Sequence, residues 1–166
     1  MRSFFRAIDW INNRFGNVIA YLNIAVVGIV CWEIVARYVF NAPTLWANEG
    51  MVMLSGFMYV LAGGYAQLHK RHVRIDLLYS RLSEKGQAVC DALAYLFFLV
   101  YAYALIWHGA VFALESISLQ ETTGTPWNPI VYPIKIAVPV GASLLFLQMT
   151  ADVIRRVYTA FSNKEI

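Results

Sequence analysis

The sequence predicts an all-α polytopic membrane protein, with four transmembrane helices plus short interfacial amphipathic helices. The first observation is apolar length. Four stretches, at about 15–37, 50–68, 92–114 and 130–151, each approach or exceed the roughly 20 residues that carry a helix across a bilayer core. The second is composition. The 166-residue chain is 60% hydrophobic and 14% charged, against about 25% charged in ordinary globular domains. The third is where the basic residues lie. Arg2, Arg6 and Arg14 precede the first stretch. Lys70, Arg71, Arg74, Arg81 and Lys85 separate the second from the third, and Arg155, Arg156 and Lys164 follow the fourth. Of the 13 Lys and Arg, only Arg37 and Lys135 fall elsewhere. The positive-inside rule then predicts a multi-pass protein with both termini and the middle loop in the cytoplasm.

The spans take up most of the chain, so one four-helix domain over 1–166 is expected. Net charge is +3, but the basic residues flank spans, where topology and lipid head groups account for them. Nucleic acid is therefore not an expected partner. Cys31 and Cys90 differ in depth by about 20 Å in this topology, which excludes a disulfide. The first apolar run is too long for a signal peptide and carries Glu33, so it reads as a retained anchor.

Residues 2–15 place Phe4, Ile8, Ile11 and Phe15 at helical spacing, with Arg2, Arg6 and Asp9 elsewhere. This predicts an amphipathic helix in the cytoplasmic interface, anchored by Trp10. The alternative is a plain extension of the first span. That span, between Arg14 and Arg37, provides about 33 Å of helix. Asn23, Glu33 and Arg37 fall within an arc of about 80°, a stripe that faces protein more cheaply than lipid. Glu33 and Arg37 stand four apart, acid first, the favourable order for an ion pair. A proton or ion relay is the alternative. The pair's place near the end of the span favours a structural ion pair turned towards a partner.

In the loop that follows, Asn41 and Pro43 are turn formers. Thr44 is placed to cap the second helix, with Glu49 near its positive end and Trp46 in the interfacial belt. The second span clusters Gly56, Ala62, Gly63 and Gly64, predicting close helix packing. In the middle loop, Ile75, Leu78 and Leu82 mark one face of a short amphipathic helix on the cytoplasmic leaflet. His69 and His72 have no third ligand nearby beyond Asp76, so no metal is expected. The third span is rich in aromatic residues. Beyond it, Thr125–Pro126 reads as a helix start, with Trp127 and Tyr132 at the interface. Pro139 predicts a kinked or irregular outer end to the fourth span, and Lys135 is free to snorkel outwards.

Catalytic motifs are missing from the sequence: there is no nucleophile–base pair, phosphate loop, zinc spacing or dinucleotide fingerprint. An enzyme is not expected, nor is a cofactor. A haem anchor needs a second histidine at membrane depth besides His108. A self-contained carrier needs repeats and midplane polar groups, and the midplane carries little beyond Asn23. An independent small carrier or redox anchor is kept as the alternative to a polytopic subunit without an active site of its own.

Three blocks resemble one family in order and spacing. RYVFNAPTLWANE closes the first span, HVRIDLL lies in the middle loop, and TGTPWNPIVYPIKIAVPVG enters the fourth span. The set is similar to the small membrane subunit of tripartite ATP-independent periplasmic (TRAP) transporters, the DctQ-type family. One departure is Asn48, where the family often has an acid before Glu49. The resemblance implies a scaffold subunit in the bacterial inner membrane, surrounded by membrane lipids. It would pair with a large DctM-type subunit that moves an organic acid with coupling ions, and a periplasmic binding protein would deliver the substrate. It implies an outer corner of Arg37, Asn41, Pro43, Trp46 and Glu49. His72, Arg74 and Asp76 would fix the cytoplasmic loop, and Pro126 and Trp127 belong to the third block.

Overall fold

The computed structural model describes residues 2–69, 79 and 82–162. These form α1 (Arg2–Tyr38), α2 (Leu45–Leu68), α3 (Glu84–Ser118) and α4 (Tyr132–Ser162). All four are long and apolar enough to cross a membrane. The 37 residues of α1 make about 55 Å of helix, well beyond one bilayer core. Its excess carries the N-terminal segment. Residues 2–15 are not a separate interfacial helix but run straight into the first span. Nothing interrupts them, since the stretch contains no proline and Gly16 is tolerated inside the helix.

The helices form a layer more than a closed bundle. α1 lies beside α2, α2 beside α4, and α3 chiefly along α4, while α1 also reaches α4. That last contact uses Phe5 and Ile8 of α1 against Ala151 of α4. The buried face of the first turns is thus Phe5, Ile8 and Asn12, whereas Phe4, Phe15 and Trp10 are exposed. Leu61, Ala137 and Leu144 form the α2–α4 core, with Ile11, Ile19 and Phe57 packed on it.

Small residues set the closest approaches. Gly16 lies under the Tyr65 ring, Gly64 under Asn12 and the Leu144 backbone, and Gly141 against the Val60 backbone. Gly63 approaches Leu145, but Gly56 faces open space, so of these two glycines only Gly63 is used in packing. Pro139 lies inside α4 and meets Gly109 of α3, whose missing side chain leaves room for the ring. Cys31 and Cys90 are free and exposed.

The ends of the helices differ from expectation at several points. α2 begins at Leu45 and not near 50, and α3 is longer at both ends than 92–114. Ser83 caps α3, its Oγ accepting from Gly86 N at 3.3 Å. Thr125–Pro126 starts no helix, because α4 begins only at Tyr132. The short helix expected around 75–82 falls largely outside the described residues.

Candidate functional site

Two polar centres hold the layer, one at each end. At the end bearing the termini, Gln148 of α4 is completely buried and Asn12 of α1 almost so. Asn12 Nδ2 donates to Gln148 Oε1 at 2.9 Å, and Gln148 Nε2 donates to Asp9 at 3.0 Å. Arg155 pairs with Asp9 at 2.7 Å and with Asp152 at 3.6 Å. Gln67, at the end of α2, donates to Asp152 at 2.9 Å. One network therefore joins α1, α2 and α4. Beside it, Arg156 of α4 pairs with Asp91 of α3, and Tyr79 donates to the same carboxylate at 2.8 Å. Burial pushes the Tyr79 hydroxyl above the usual phenol range, and its bond to Asp91 adds to the rise. Tyr95 and Thr150 share a 2.8 Å hydrogen bond one layer deeper.

These ties place the start of α1, the end of α2, the start of α3 and the end of α4 together. That is the alternation of four antiparallel spans. None of this network was expected from the sequence, although its signal is present there. Asp9 and Asn12 are three apart on α1, and Gln148 and Asp152 four apart on α4, so each pair shares a helix face.

At the opposite end, the α1–α2 corner is built on Glu33. Its Oε1 accepts from Arg37 Nη2 at 2.6 Å and from Nε at 3.1 Å. Its Oε2 accepts from the Thr44 backbone N at 3.1 Å and from the Thr44 hydroxyl. The expected ion pair is present, but Glu33 turns inward and is buried, while half of Arg37 remains exposed. Thr44 is the N-cap of α2 without a side-chain cap bond, because its hydroxyl serves Glu33 instead. Asn41 takes a left-handed φ of 52°, and the Ala42 N–H returns to Ala36 O at 2.9 Å, so α1 ends in a Schellman-type turn. Pro43 follows it, exposed, where no N–H is needed.

The 119–131 segment folds back as a small hairpin. Thr122 and Ile130 form an antiparallel bridge, and Thr123 N donates to Pro129 O at 3.1 Å. Gly124, with φ 70°, and Asn128, with φ 54°, make the turn, tied by Gly124 N to Asn128 Oδ1 at 2.9 Å. This TGTPWNP tip clasps α2. Thr125 and Thr123 donate to Glu49 at 2.7 and 3.5 Å. Trp127 lies over Gly50 beside Trp46. Pro126 sits exposed in the turn. Lys135 does not snorkel free. It pairs with Glu121 and lies 3.8 Å over the Phe112 ring. That ammonium holds the Glu121 carboxyl below the usual carboxylate range.

The outer corner implied by the sequence blocks is therefore two adjoining units, Glu33–Arg37–Thr44 and Glu49–Trp46–Trp127. His72, Arg74 and Asp76 lie outside the described residues. No group of three or more metal-ligating side chains gathers among the described residues. The polar ties within the chain gather towards the two ends, and between them the helices present mostly apolar surface.

A family model for "Tripartite ATP-independent periplasmic transporters, DctQ component" matches residues 26–159. This chain belongs to that family. Its match spans the Glu33 corner, the 119–131 hairpin and the α3–α4 pair, and begins after the Asp9–Asn12 part of the network. The chain is also 34% identical over 79 residues to the sialic acid TRAP transporter small permease protein SiaQ of Vibrio cholerae serotype O1. That match covers 46% of this chain and 44% of the relative, so the chain spans less than half the length of the curated relative it matches. It is a multi-pass membrane protein and a small TRAP transporter component. Neither comparison supports an independent carrier or a redox anchor.

Proposed function

We propose that the chain is the scaffold subunit of an ion-gradient-driven uptake system for an organic acid, without catalytic activity of its own. It sits in the bacterial inner membrane and pairs with a large membrane subunit that carries the substrate. A periplasmic binding protein delivers that substrate. The termini and the 69–83 connection lie in the cytoplasm, and the Glu33 corner and the 119–131 hairpin face the periplasm. The family match over residues 26–159 carries the reading. The geometry supports it. The internal polar ties rigidify the two ends of the layer, and the apolar middle suits a scaffold better than a substrate path.

Reconstituted uptake tests the reading, with an Na⁺ gradient and binding protein present. This chain alone and the large subunit alone should each be inactive, and the pair active. Accumulation by this chain alone would end the scaffold reading. For the orientation, a membrane-impermeant maleimide should label Gln120→Cys on the periplasmic side and not Ser83→Cys. The reverse pattern would overturn it.

A further inference from the structure

One edge of α1 carries polar groups that no described residue of the chain satisfies. Gly16, Asn23, Val30 and Arg37 recur every seven residues and so form one stripe, drifting by about 20° per repeat. Gly16 is buried under Tyr65 of α2. From there the stripe emerges: Asn23 is exposed, Val30 is 37% exposed, and the Arg37 side chain is 53% exposed. Among the described residues Asn23 makes no side-chain hydrogen bond. It stands about 14 Å along the helix from Arg14 and about 21 Å from Arg37, well inside the hydrocarbon. A primary amide exposed to lipid there has no water to bond, which is costly. Arg37 spends Nε and Nη2 on Glu33, and Glu33 has spent its second oxygen on Thr44. Among the described residues the corner thus leaves Nη1 of Arg37 without a partner and part of its charge outward.

We propose that this Asn23–Val30–Arg37 edge is covered by a transmembrane helix of a different chain, the large membrane subunit. That helix presents a hydrogen-bonding group opposite Asn23 and a carboxylate opposite Arg37. The seven-residue spacing fits the shallow left-handed crossing of about 20° common between membrane helices. A second copy of this chain is a poor occupant. Membrane topology makes two copies parallel, and a two-fold axis on this edge sets Arg37 against its own counterpart at the same depth. Asn23 tolerates such a pairing, but two half-exposed guanidinium groups repel. The inference rests on the subunit reading above and specifies where the partner sits.

The test uses the full chain co-expressed with the large subunit, in a Cys31→Ser, Cys90→Ser background. A thiol-reactive benzophenone is placed at Asn23→Cys, at Val30→Cys and, as control, at Val100→Cys on the exposed side of α3. Illumination should join the chain to the large subunit from positions 23 and 30 and not from 100. In parallel, Asn23→Leu should lower recovery of the large subunit by about 3–10-fold while Asn23→Gln retains it, as expected for one interhelical hydrogen bond in lipid. A homodimer adduct from position 23, labelling of lipid alone, or full recovery with Asn23→Leu would overturn the proposal. Failure of the wild-type chain to retain the large subunit would instead remove the subunit reading itself.

Discussion

The α2–α4 crossing makes the sharpest quantitative test of the fold. At Gly141 a β-carbon would meet the Val60 carbonyl carbon and Cγ1, each at 2.9 Å, with the carbonyl oxygen closer still. Ordinary contact begins near 3.4 Å, so Gly141→Ala must push the two helices apart by about 0.5 Å or more. The obstacle is backbone, which cannot rotate away as a side-chain tip can. A gap of 0.5–1 Å forfeits about a quarter to a half of each affected dispersion contact. Overpacking of this kind costs about 1–3 kcal/mol. The better helix propensity of alanine offsets up to about 1 kcal/mol of it. The net expectation is a loss of about 1–2 kcal/mol. Gly56 is the internal control, because a β-carbon there meets nothing within 4 Å. Gly56→Ala should be neutral or slightly stabilising. Both variants are unfolded thermally in detergent and followed by circular dichroism. At about 2–4 °C per kcal/mol for a chain of this size, Gly141→Ala should melt about 2–8 °C lower and Gly56→Ala no lower than wild type. Equal melting of the two variants would refute the close α2–α4 approach at Gly141.

Gln148→Leu should lower stability by about 1–3 kcal/mol, because Asn12 and Asp9 each lose a buried partner, and adding Asn12→Leu should recover part of that loss in the same melting assay. Glu33→Ala should destabilise more than Arg37→Met, since the first strands both Thr44 donors and the guanidinium while the second leaves Thr44 bonded; equal losses would show that Glu33 serves the ion pair alone. For the Glu121–Lys135 tie the folded pKa lies below 4.5, so its contribution is whole above about pH 4.5 and is lost as pH falls through the folded value. Trp127 fluorescence should accordingly stay constant from about pH 8 to 5 and change only below that, and a midpoint near pH 6 would assign the hairpin's acid response to another group.

Local information was enough for the spans, their alternation and the Glu33–Arg37 pair. Apolar length against bilayer thickness and four-residue spacing are properties of the chain alone. The blocks RYVFNAPTLWANE, HVRIDLL and TGTPWNPIVYPIKIAVPVG, in that order and spacing, likewise pointed to the family, which the match over residues 26–159 bears out. Tertiary structure decided which groups meet. Asp9 and Arg155 lie 146 residues apart, and Glu49 and Thr125 lie 76 apart, distances over which no periodicity carries information. The same holds for the glycines. Gly56 and Gly141 look alike in sequence, yet only the placement of α2 beside α4 makes one a contact and leaves the other open. The turn at Gly124 and Asn128, and the reach of its tip back to Glu49, were not anticipated from the sequence. A helix start at Thr125–Pro126 was the local reading. It lost because the Glu49 carboxylate, the Trp127–Gly50 contact and the Thr122–Ile130 bridge together satisfy the segment better folded across α2 than wound into α4.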